Sequence, residues 1–155
     1  MNNKGFTLIE LLAAIILLAI VMSVSTFSVI SAINRSKSSS YDSIMGNIEI
    51  AVKEYYDECK NSDIVTTKIS CDKLNKISNN SYSVNITLKE LLDYGFLKSS
   101  AKEENNKIIK NPTNDMNMNN CNIKLNINID STGNVNEEYK FNEDNKEECK
   151  KKDLG

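Results

Sequence analysis

Twenty-three consecutive residues, Leu11 to Ile33, carry no charge, and this run limits the possible folds more than any other feature of the chain. A helix needs about 20 apolar residues to cross the hydrocarbon of a bilayer, so the run is long enough to span one. Only Lys4 and Glu10 are charged before it, and Glu10 stands at its very start. A secretory signal has an apolar core of roughly 7–15 residues with a small-residue cleavage site after it. Here the small residue, Gly5, precedes the apolar run, and a cut there leaves the helix on the mature protein. Leu, Ile, Ala and Val dominate from Phe6 to Ile33, with no Gly or Pro, while Ser23, Ser25, Ser28 and Ser31 make the second half less apolar.

Polar residues take over at Asn34-Arg35-Ser36-Lys37, yet helical spacing continues. Tyr41, Ile44, Ile48, Ala51, Val52 and Tyr55 form one stripe of an amphipathic helix. Gly46 lowers the propensity by about 1 kcal/mol relative to Ala without ending the pattern. The spacing predicts one helix over residues 6–57, roughly 78 Å long at 1.5 Å per residue. Its first half is long enough to cross a membrane, and its second half lays the stripe on a sheet.

The head that follows is mixed. Ile64-Val65-Thr66-Thr67 looks extended, Cys71 to Ile77 reads as a short helix, and Asn79-Asn80-Ser81 as a loop. Thr87-Leu88-Lys89-Glu90 is a capping box, with Leu88, Leu91 and Leu92 as an apolar face, and Gly95 sits where a left-handed C-terminal residue belongs. Residues 98–120 are polar, contain Pro112, and read as an irregular surface segment. Ile123, Leu125, Ile127 and Ile129 alternate with polar residues as in a half-buried strand. Ser131-Thr132-Gly133-Asn134 is a turn, and Val135, Tyr139 and Phe141 lie on a return strand. The predicted fold class is α+β: a long N-terminal helix packed by its amphipathic second half on a small antiparallel sheet. The organisation is a leader (1–5), an apolar helix (6–33), its amphipathic continuation (34–57) and a globular head (58–155).

Composition narrows the chemistry. The chain has no His, the commonest general base and zinc ligand, and no Gly-rich phosphate loop or Ser/His/Asp arrangement. The net charge is −2, which offers no basic domain for nucleic acid. The one tight basic cluster, Lys150-Lys151-Lys152, follows acidic residues and reads as a solvated, self-compensating tail. No cofactor is indicated. The four cysteines, Cys59, Cys71, Cys121 and Cys149, include no Cys-x-x-Cys, so zinc and redox motifs are absent. An even number favours disulfides over free thiols if the head lies outside the cytoplasm. Of three connectivities, local pairing of Cys59 with Cys71 and Cys121 with Cys149 is the choice made here. Each would contribute roughly 3–4 kcal/mol in the chain-entropy account.

The N-terminal stretch Lys4-Gly5-Phe6-Thr7-Leu8-Ile9-Glu10-Leu11-Leu12 resembles the class III signal of type IV pilins and pseudopilins. The resemblance implies a peptidase that cuts after Gly5 and methylates the amine of Phe6. It implies an assembly role for Glu10, which would meet the N-terminal amine of a neighbouring subunit. Thr7 lies in the same motif, with a helix-capping role as the alternative. Partners would be other pilin subunits, the prepilin peptidase, the inner-membrane assembly platform and, before assembly, the lipid bilayer. Many pilins carry a helix-breaking Pro where this chain has Phe27, which argues against a sharp kink. The segment Ile86–Leu97 resembles a short helix of many Gram-positive pilin-like heads, and a Cys121–Cys149 link would resemble the C-terminal disulfide of many pilins.

A carboxylate at the centre of a membrane helix costs about 2.5–3.5 kcal/mol, less near an end, so Glu10 either answers to a partner or marks the membrane interface. Asp130, Glu137, Glu138, Glu143 and Asp144 are candidates for a calcium site as in some pseudopilin heads, but lack EF-hand spacing; plain surface charge is the other reading. The function expected is a structural filament subunit, not an enzyme. Open alternatives are a pseudopilin of a type II secretion or competence system, an uncut signal-anchored surface protein, and an enzyme working through Tyr, Asp or Lys.

Overall fold

A computed structural model describes residues 7–61, 69–103, 106–142 and 144–154. Helix α1, Leu8–Asn61, has 54 residues and is roughly 81 Å long. It runs unbroken through Phe27 and Gly46. Tyr41, Ile48, Ala51, Val52 and Tyr55 are buried, Tyr56 joins them, and Ile44 is half-buried. The amphipathic stripe therefore faces the head.

The head is a four-stranded antiparallel sheet in the order β1 (Leu74–Ser78), β2 (Ser81–Thr87), β5 (Asn122–Ile129), β6 (Val135–Phe141). Between β2 and β5 lie α2 (Leu88–Tyr94) and a small ribbon, β3 (Ala101–Glu103) paired with β4 (Asn106–Ile108). The central register pairs Val84 with Leu125 and Ile86 with Ile123, and β6 sets Tyr139 opposite Leu125. Period-two alternation puts Val84, Ile86, Ile123, Leu125 and Ile127 on one buried face, which lies on the α1 stripe in a single core. Leu88, Leu91 and Leu92 of α2 close one side of it.

Local chemistry fixes the connections. The Thr87 hydroxyl accepts from the Glu90 N–H while the Glu90 carboxylate accepts from the Thr87 N–H, and Gly95 ends α2 at φ 90°, a left-handed value that favours glycine. In the β5–β6 turn, the Asp130 carboxylate accepts the N–H groups and side-chain donors of Thr132 and Asn134 at 2.6–3.0 Å. Gly133 takes the left-handed position there.

Three expectations are corrected. Cys71 to Ile77 is not a helix: Leu74–Ser78 is an edge strand, joined to β2 by the Asn79-Asn80 turn. The spacing of Leu74 and Ile77 suits a helix, but pairing with β2 is a tertiary effect that overrides local preference. Strand β2 was itself readable from the alternation of Tyr82, Val84 and Ile86. Second, residues 98–120 are not merely surface. Ile108, Ile109, Met118, Asn111 and Thr113 are buried, and the polar pair among them is satisfied by bonds within the protein. The Asn111 amide donates to the carbonyls of Glu148 and Lys150, and its oxygen accepts from Thr113. Third, the C-terminal tail keeps Lys151 and Lys152 exposed and pairs Lys150 with Glu147, but its backbone is a strap lying along α1. Tyr41 Oη donates to the Cys149 carbonyl at 2.7 Å, Asn34 Nδ2 to the Leu154 carbonyl at 2.7 Å, and Lys151 Nζ lies 2.8 Å from Asp42. The extended reading of residues 64–67 falls outside the described residues.

Candidate functional site

The first turn of α1 is built by Thr7 and Glu10. Glu10 Oε2 accepts from the Thr7 N–H at 2.9 Å and from Thr7 Oγ1 at 2.8 Å, while the Glu10 N–H lies 3.4 Å from Thr7 Oγ1. These are the reciprocal bonds of a capping box, and both groups are exposed. Gly5 and Phe6 lie outside the described residues, immediately before the cap. Thr7 thus caps the helix that Glu10 begins.

Among the described side chains nothing covers the apolar half of α1. Relative exposure runs from 83 % at Leu8 to 49 % at Ile33, with Leu11, Ile15, Leu17, Val21 and Ile30 between. The helix is long and apolar enough to cross a membrane, and none of its most apolar window is buried. Soluble monomers seldom expose contiguous apolar patches above a few hundred Å², so this surface must lie in lipid, detergent or other helices. Ser23 does not interrupt it, since its Oγ donates back to the Ile20 carbonyl at 2.8 Å.

The head is held to the amphipathic half by polar ties as well as by the core. Lys53 Nζ lies 2.7 Å from Glu137 on β6. The Glu137 carboxyl is held below its usual range by Lys53 and by the Tyr139 hydroxyl. Burial pushes the Tyr55 hydroxyl up to about 12, and that hydroxyl donates to the Ser70 carbonyl at 2.8 Å.

Two disulfides are present, Cys59–Cys71 and Cys121–Cys149, the local pairing chosen from the sequence. The first joins the end of α1 to the approach to β1. The second joins the start of β5 to the strap, with both sulfur-bearing residues buried.

The acidic residues weighed as a calcium site are not brought together. Asp130 serves the β5–β6 turn, Glu137 pairs with Lys53, Glu138 with Lys140, and Asp144 with Lys146, while Glu143 is outside the described residues. Among the described residues no group of three or more acidic or cysteine side chains is placed to hold a metal ion. Sequence reasoning missed the strap's anchors, Asn34, Asp42 and Asn111. Nothing in their local pattern marks them, because their partners lie 120, 109 and 37–39 residues away.

Residues 1–26 match the family model of the prokaryotic N-terminal methylation motif. No curated protein and no solved structure matches the chain. The N-terminal segment thus carries the prokaryotic N-terminal methylation motif, and the apolar helix that it opens suits a membrane anchor.

Proposed function

We propose that the chain is the precursor of a structural subunit of a type IV pilus-like filament, cut after Gly5 and methylated on Phe6 by a prepilin peptidase. The observation that carries this is the uncovered apolar half of α1, headed by the single acid Glu10. Lipid covers that surface before assembly, and the helices of other subunits cover it afterwards. Extraction from the membrane then keeps the surface out of water and exchanges one apolar partner for another. Directionality comes from charge. After cleavage the new amine on Phe6 stands four residues before Glu10. Glu10 Oε1 accepts none of the Thr7 bonds, so it remains available to a neighbour's amine. A correct axial stagger pairs the two charges in an apolar bundle, whereas a slipped stagger strands both, which is costly. The head decorates the outside, fixed to its helix by the core and the strap.

The test is shearing of cells that express the chain, followed by mass spectrometry of the N-terminal peptide and electron microscopy of labelled heads. Surface filaments made of chains beginning at methylated Phe6 support a pilus. Methylated chains confined to the cell envelope point instead to a pseudopilin. An intact Met1 removes the reading.

A further inference from the structure

Twenty residues of α1, Leu11–Ile30, fill a hydrocarbon layer of about 30 Å. The next two turns, Ser31 to Ser38, therefore sit at headgroup depth on the head's side. At this level the C-terminal strap meets the helix and leaves a cleft of about 680 Å³, walled by Ser31, Asn34, Arg35 and Asp42 on the helix side and by Lys151, Lys152 and Asp153 on the strap. The strap's position is imposed from within the head, by the Cys121–Cys149 disulfide and by the Lys152 N–H donating to Thr113 Oγ1 at 3.0 Å. It is imposed again at the cleft by the Asn34–Leu154 bond.

The charges here are sorted. Lys151 is matched by Asp42 and Lys37 by Asp115; Asp153 also lines the cleft, so Arg35, Lys151 and Lys152 against Asp42 and Asp153 leave its lining one positive charge in excess. Arg35 and Lys152 both line the cleft, and among the described residues neither has a carboxylate partner within ion-pair distance. Cations beside a membrane on the exported side oppose the usual bias that keeps Lys and Arg inside. Their retention calls for an anion at that depth.

We propose that this cleft binds the phosphate of an anionic glycerophospholipid from the leaflet beside the head. Arg35 presents a planar fork suited to a phosphate diester, and Lys152 supplies a point charge opposite it. The hydroxyls of Ser31 and Ser38 and the Asn34 amide line the same space for the glycerol and headgroup oxygens. The acyl chains run down over the exposed Ile30 and Ile33. The bound lipid fixes the depth and rotation of the subunit in the bilayer until assembly strips it. This rests on the membrane-inserted precursor proposed above.

The test uses the full-length protein in phosphatidylcholine bilayers containing spin-labelled phosphatidylglycerol or spin-labelled phosphatidylcholine. The motionally restricted lipid fraction gives the relative affinity. Wild type should prefer phosphatidylglycerol on the order of fivefold at low salt. Arg35→Gln with Lys152→Gln should bring the ratio close to one, with the thermal unfolding of the head unchanged. Lys37→Gln with Lys150→Gln removes equal charge near the same depth but outside the cleft, and should leave most of the preference. Equal loss in both double variants overturns the cleft in favour of diffuse charge. Absence of preference in wild type overturns the proposal while leaving the filament reading intact; failure to insert into the bilayer removes both. Displacement of the labelled lipid by an equal concentration of inorganic phosphate overturns a lipid as the source of the anion.

Discussion

The Glu10 carboxylate accepts both the backbone N–H and the hydroxyl of Thr7 through one oxygen, Oε2. The same arrangement recurs at Thr87 and Glu90, with distances of 2.9, 2.8 and 3.3 Å. In the head it starts a seven-residue helix whose ends are both capped. At the N-terminus it starts the 54-residue helix α1. The box there holds the first turn and uses only half of the carboxylate.

Capping and charge can be separated by substitution. Glu10→Gln keeps an acceptor for Thr7 but removes the charge, whereas Thr7→Val removes the cap and keeps the charge. Loss of the cap costs about 1 kcal/mol of helix stability and should lower sheared filament yield only moderately. Glu10→Gln and Glu10→Ala should leave membrane-bound protein at or above the wild-type level with few filaments, since a neighbour's buried amine then lacks its partner. Normal filament yield from Glu10→Gln would reduce Glu10 to a capping residue.

Processing should respond to bulk at residue 5. Glycine lets the peptide approach a protease closely because it has no side chain. Gly5→Ala should slow cleavage and Gly5→Val should block it, measured as the ratio of chains beginning at Met1 to those beginning at Phe6. Equal processing of the two variants would show that side-chain size at this position is not what the peptidase reads.

Periodicity revealed α1, β5 and α2 because each buries one face, and β6 because it half-buries one; such burial forces a repeat of 3.6 or 2 on the sequence. The cap residues Thr87 and Gly95 were legible for the same local reason. What escaped was set by distant partners. The buried Asn111 looks like any loop asparagine until Glu148 and Lys150 are beside it, and the lysine-rich tail looks solvated until Tyr41 and Asn34 receive it. Leu74 and Ile77 were misread because a short edge strand carries too few residues to show its period. At the N-terminus, Glu10 stood out because an acid at the edge of an apolar run breaks the local rule.

The strap should be a large part of the head's stability. In a soluble fragment beginning at residue 31, replacing Cys121 and Cys149 together by Ser opens a loop with a sequence separation of 28. The chain-entropy account assigns roughly 3–4 kcal/mol to such a closure, a fall of about 10 °C in Tm for a domain of this size. Tyr41→Phe deletes only the bond to the Cys149 carbonyl and should cost about 1 kcal/mol. A Tm unaffected by the double Ser variant would mean that the polar anchors hold the strap without the disulfide.

The β5–β6 turn should give the head a distinct acid sensitivity. Asp130 is held at about 2 by the Thr132 hydroxyl first, then by Asn134, against an ordinary value of 3.8. Its folded value lies below its unfolded one, so the stabilisation is fully present above about pH 4 and is lost as pH falls through 4 towards 2. Asp130→Ala has no such group to titrate. Thermal melts of the head fragment at pH 7, 4, 3 and 2 should therefore show the largest Tm gap between wild type and Asp130→Ala at pH 7. The gap should narrow steadily below pH 4. Lys53→Met should behave alike through Glu137, which its partner also holds low, but the effect should be small because Lys53 is half exposed and such pairs contribute below about 1 kcal/mol. A gap for Asp130→Ala that stays constant from pH 7 to 2 would show that the turn depends on the shape of the side chain and not on its charge.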